Sequence, residues 1–177
     1  MPPPSFNSEK FRELLLYVAH HSVRDPWFGA VKLNKILFYC DFIAFKRFLD
    51  PITGASYVKL PEGPAPREFL SERSALLDEG LAEMEYRRVF RYMQQRLVAT
   101  GDHERLSNRF EDGERRVVEE VLEALRPLNG SEASELSHSE IGWILADDNT
   151  VIPYESALLM NPDDLDFWAW DENASTP

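Results

Sequence analysis

Lys32-Leu33-Asn34-Lys35-Ile36-Leu37-Phe38-Tyr39-Cys40-Asp41-Phe42 is the stretch whose reading settles the architecture. Leu33, Ile36, Leu37, Cys40, Ile43, Ala44 and Phe48 recur on one face at helical spacing, and Phe38, Phe42 and Phe45 widen it. That pattern predicts a long helix from about Ala30 to Leu49, buried on more than one side. Asp50-Pro51 stops it, because the residue before a proline is pushed out of the helical region and proline has no N–H. Upstream, Phe11, Leu14, Leu15, Val18 and Ala19 follow Asn7 or Ser8 as a cap and predict a first helix ending near His21. Downstream, Thr53-Gly54 reads as a turn, Tyr57–Leu60 as a short strand, and Pro61-Glu62-Gly63-Pro64-Ala65-Pro66 as a stiff loop.

Beyond that loop a third helix is expected over about 66–79, stopped by Gly80. Two antiparallel strands follow, Leu81–Glu85 and about Phe90–Val98, with a turn near Arg87-Arg88. Val117, Val118, Val121, Leu122 and Leu125 predict a helix over 112–125. Short helices then fit 131–137 and 139–146, with one more helical turn toward Met160. The expected fold class is mainly α (α+β): a helical domain with a small antiparallel sheet or hairpin, its third helix and hairpin ordered as in a winged helix. Residues 1–7 read as a disordered N-terminus, 8–160 as the domain, and 161–177 as an acidic, aromatic C-terminal tail.

The 177 residues carry 19 bases and 31 acids, a formal charge of −12. The charge is uneven: residues 1–100 hold 14 bases and 12 acids, whereas 101–177 hold 5 bases and 19 acids. An acidic half of this kind repels a phosphate backbone and favours a basic protein partner. One cysteine excludes an internal disulfide, no apolar run approaches the length of a membrane span, and Met1-Pro2-Pro3-Pro4 does not resemble a signal peptide. The expectation is a cytoplasmic protein without membrane attachment.

The residues propose no reaction, cofactor or metal. His20 and His21 diverge on a helix, His103 and His138 have no ligand at metal spacing, and Cys40 lies on an apolar stripe. Carboxylate pairs such as Glu119-Glu120 and Asp147-Asp148 are sequence neighbours on exposed segments rather than opposed groups. A winged-helix, DNA-binding regulator is the alternative, with Arg87, Arg88, Arg91 and Arg96 of the hairpin touching phosphates. Its third helix, however, offers Arg67, Glu68, Ser71, Glu72, Arg73 and Asp78, net −1, where a groove-reading helix exposes Lys, Arg, Asn or Gln.

Three motifs in order, Lys32 to Phe42, Pro51-Ile52-Thr53-Gly54 and Tyr57 to Pro66, resemble the signature of the Panacea domain, the SocA-like antitoxin domain. Glu135-Leu136-Ser137-His138 with Trp143, and Ile152-Pro153-Tyr154-Glu155, are similar to its C-terminal pattern, so the resemblance spans about residues 8–160. It departs at Glu62, where an aromatic residue commonly precedes Gly-Pro. The resemblance implies the antitoxin of a bacterial or phage toxin–antitoxin pair, neutralising a protein toxin encoded by an adjacent gene through direct contact. A homodimer is also compatible with the sequence. Lys35, Tyr39, Asp41, Tyr57, Lys59 and Glu62, the polar motif residues on or beside the rigid loop, are the expected partner contacts, with the equal alternative that Lys35 and Asp41 tie the second helix to the loop by ion pairs or hydrogen bonds.

Overall fold

Helix α2 (Ala30–Phe48) is the axis of the fold in the computed structural model, which describes residues 4–101 and 109–160. Every residue from Lys32 to Phe45 except Asn34 is buried, so this helix is covered nearly all round. Around it in chain order run α1 (Ser8–His21), β1 (Tyr57–Leu60), β2 (Gly63–Pro66), α3 (Phe69–Asp78), β3 (Ala82–Val89), β4 (Tyr92–Ala99), α4 (Asp112–Leu125), α5 (Gly130–His138) and α6 (Ile141–Leu145), then a 3-10 helix, Tyr154–Leu159. The class is α+β, as the sequence predicts. The C-terminal tail and His103 lie outside the described residues. Of the residues expected to be loose at the N-terminus, Phe6 packs edge-on against Phe11 and Asn7 caps α1 by accepting from Lys10 N at 3.0 Å.

Two expectations are corrected. The proline-framed segment is not only a loop: Gly63–Pro66 pairs antiparallel with β1, Lys59 opposite Pro64 and Tyr57 opposite Pro66. The prolines are tolerated because Tyr57 and Lys59 turn their backbone groups the other way, toward Ile152, Asn149 and Thr150. Val58 and Leu60 therefore face Ala65 and Gly63, and no N–H is asked of Pro64 or Pro66. The second hairpin is longer than expected, and its turn falls at Phe90-Arg91 rather than Arg87-Arg88. Phe90 takes the left-handed conformation there, φ 52°, without the Gly or Asn that usually announces such a turn. As the sequence predicts, β1 stands between α2 and α3, and β2 joins it there.

The β3–β4 hairpin is pinned to the body by Arg96. Its guanidinium, 3% exposed, donates through Nη1 to the carbonyls of Asp25 (2.8 Å) and Phe28 (3.1 Å), and through Nη2 to those of Ser22 and Val23 (3.3 Å each). The planar five-donor fork suits a cluster of carbonyls that Lys could not serve. The link between α1 and α2 is thereby closed onto β4. Arg96→Met keeps the stem volume but removes the guanidinium donor from four carbonyls, two of which retain a backbone N–H, and should cost about 2–4 kcal/mol. Urea denaturation measures this, with a loss under about 0.5 kcal/mol counting against the anchoring role.

Candidate functional site

The three sequence motifs meet around one buried carboxylate. Asp41 on α2 is fully buried, and its Oδ1 accepts from Thr53 N at 2.7 Å while Oδ2 accepts from Thr53 Oγ1 at 2.5 Å. Tyr57 places its hydroxyl 2.8 Å from both Asp41 Oδ2 and the Leu37 carbonyl, so one proton faces two acceptors. Tyr154 donates to the Ala55 carbonyl at 2.7 Å. No cation pairs with Asp41 within ion-pair distance among the described residues. Desolvation therefore prevails over the hydrogen bonds and raises its carboxyl to about 6. The same burial pushes the hydroxyls of Tyr57 and Tyr154 upward.

A second buried group supports the loop from beneath. Lys35, 1% exposed, donates from Nζ to the Pro64 carbonyl at 3.1 Å, and burial draws its ammonium down to about 8. Gly63 is required above it. At φ 97° a Cβ would lie 2.6 Å from Lys35 Cε and 2.4 Å from Ser137 Oγ. On the other side Ser134 donates to the Glu62 carbonyl at 2.6 Å. The loop is thus held by α2 and α5 together.

Tyr39 turns away from the loop and donates to Glu140 at 3.0 Å, tying α2 to the start of α6. Lys59 lays its ammonium 4.4 Å over the Trp143 ring and donates to the Ala146 carbonyl at 3.0 Å. Of the six polar side chains expected to face a partner, the structure turns Lys35, Tyr39, Asp41 and Tyr57 inward, leaves Lys59 half-buried on Trp143, and exposes Glu62. Lys32, which the sequence left unassigned, is also buried: its ammonium meets Asp25 at 2.6 Å and the carbonyls of Leu128 (2.6 Å) and Arg126 (3.1 Å). Charge reversal at Lys35 would test folding, because it would bury a carboxylate against the Pro64 carbonyl.

A cleft of about 1100 Å³ opens beside the loop. Pro61 and Glu62 border it together with the starts of α2 and α5, and His138 stacks on Trp143 behind them, ring centroids 4.1 Å apart. The opposite wall is the tip of the β3–β4 hairpin. Phe90 there is 85% exposed, and Tyr92 and Met93 are more than half exposed. The sequence did carry this signal, since Tyr86–Met93 holds three arginines, three aromatics and no acid in an acidic chain. A misplaced turn hid it. Helix α3 is engaged elsewhere: Ser8 donates to Glu72 at 2.9 Å, and Arg12 pairs with Glu79. Among the described residues no group of three or more His, Cys, Asp or Glu could hold a metal, and no helix is long and apolar enough to cross a membrane.

Comparison with protein families matches residues 33–144 to the model described as "Antitoxin SocA-like, Panacea domain". No curated protein and no solved structure matches the chain.

Two measurements check the clasp. The folded state takes up Asp41's proton near pH 6 and the unfolded chain near 3.8, so wild-type stability rises as pH falls between them. The Asp41→Asn chain has no such proton, and its amide meets donors that served a carboxylate. It should be less stable by about 1–3 kcal/mol at pH 7, the gap widening by about 2 kcal/mol toward pH 4.5. A gap independent of pH in urea melts would show that Asp41 is not the titrating group. Gly63→Ala should cost about 2–4 kcal/mol from the left-handed backbone and the collision with Lys35 and Ser137. A thermal melt like the wild type's would refute the close packing.

Proposed function

The chain belongs to the Panacea-domain family of SocA-like antitoxins, and we propose that it neutralises a protein toxin by binding it directly, one folded surface against another. The observation that carries this reading is the hairpin tip. A fold that buries Phe11, Leu14, Leu37 and Tyr39 completely leaves Phe90, Tyr92 and Met93 in water beside a cleft bordered by the motif loop. Exposed aromatics on a pinned scaffold are what binding hot spots are made of, and holding them in place beforehand lowers the ordering cost of association.

In this reading the motif residues act at two removes. Lys35, Asp41 and Tyr57 fix the loop's shape from within, Tyr39 and Lys59 hold α6 against it, and Glu62 meets the partner together with the hairpin tip. The toxin is encoded by the adjacent gene and is held stoichiometrically, in keeping with the antitoxin class.

Co-expression with the adjacent gene product should rescue growth and give a complex that survives purification. Failure of both would remove the reading. Phe90→Ala with Tyr92→Ala should weaken the complex by about 2 kcal/mol or more, roughly thirty-fold in Kd by calorimetry. Because both side chains are exposed, the melting temperature of the free chain should stay within about 2 °C. Unchanged affinity would move the interface off the hairpin.

A further inference from the structure

A second set of exposed apolar side chains lies where α6 and the 3-10 helix meet. They approach closely at Gly142, where a Cβ would stand 2.2 Å from Ser156 Oγ. Ile144, Leu145, Leu158 and Leu159 are all at least half exposed on these two elements, Leu145 at 73% and Leu159 at 69%. Val151, on the segment that joins them, is exposed as well. Two such short elements gain nothing from presenting four aliphatic side chains to water, and apolar side chains left exposed on two elements packed together mark a docking site.

The charge around this surface identifies what it receives. From Ser139 to Met160 there is no basic residue, while Asp147, Asp148 and Glu155 are exposed along the same segment. Two cations bordering the segment are engaged: Lys59 lies on Trp143 and the Ala146 carbonyl with its ammonium 3.8 Å from Asp148, and Lys46 donates to the Met160 carbonyl at 2.7 Å. Anionic lipid headgroups would be repelled by the acids. We infer that the face formed by α6 and the 3-10 helix docks a basic amphipathic segment of a protein partner, aliphatic side chains against Leu145 and Leu159 and lysines or arginines against Asp147 and Glu155. Only the partner's identity as the toxin rests on the antitoxin reading.

The experiment uses the full chain and two helical peptides, one of leucine and lysine and its leucine–glutamate twin, with NMR shifts over residues 141–160 as the readout. The basic peptide should bind there and weaken as salt rises, and its acidic twin should not bind. Leu145→Asp with Leu159→Asp separates docking from mere attraction of opposite charges. It makes the face more negative, so attraction alone would tighten binding, whereas docking requires a loss of about ten-fold or more. Tighter or unchanged binding, shifts located elsewhere, or no binding at all overturns the inference. So does sedimentation showing that the chain alone self-associates through this face and that the same pair of substitutions abolishes it. If the basic peptide docks while the adjacent gene product does not bind, the antitoxin reading fails and this surface stands.

Discussion

The structure depends on one constraint: α2 carries four polar side chains into the interior, and each must find a partner on a different element. Lys32 reaches the α4–α5 link, Lys35 the Pro64 carbonyl, Tyr39 the Glu140 carboxylate, and Asp41 the Thr53–Tyr57 clasp. Leaving any of them unpaired costs more than an ordinary hydrophobic contact gains, because a buried polar group without a partner forfeits its hydration outright. Apolar packing alone would let the surrounding segments slide along α2. The buried hydrogen bonds give each segment one register, and so they fix where β1, β2, α5 and α6 stand.

That specificity has an electrostatic consequence. Lys35 and Asp41 lie under two helical turns apart on α2 yet neither neutralises the other; each is satisfied by dipoles rather than by an opposite charge. Desolvation accordingly moves them in opposite directions, the acid up and the base down, so that each lies nearer neutrality than it would in water. A loop supported in this way is held by groups close to their titration ranges. Its stability is therefore more sensitive to pH than its apolar core would suggest.

Much of this was legible in the sequence where the physics is local. The apolar stripes of α1, α2 and α4 place those helices within a residue or two of the observed bounds, because periodicity and a proline or cap are one-dimensional signals. Strand β2 was not legible. Its prolines read as loop until β1's backbone polarity is known, and that depends on Asn149 to Ile152, ninety residues away in sequence. The hairpin turn escaped for a different reason, since Phe90 adopts a backbone conformation that its side chain does not advertise. The motif residues were recognised, but not their direction. Periodicity put Cys40 in the core yet said nothing of Asp41 beside it, since a helix buried all round has no polar face on which to place it.

The inward turn of the motif also separates two tasks that a surface motif would combine. Asp41, Tyr57, Lys35 and Gly63 contact one another's elements, so a change at any of them disturbs the loop. Phe90, Tyr92, Leu145 and Leu159 are exposed and take no part in that clasp, so substitutions there leave the loop in place. Distant, independent sites add rather than couple. A scaffold arranged in this way can change its hairpin tip or its α6 face without disturbing the loop. A fold whose recognition residues were also its buried anchors would have to lose stability each time its partner changed.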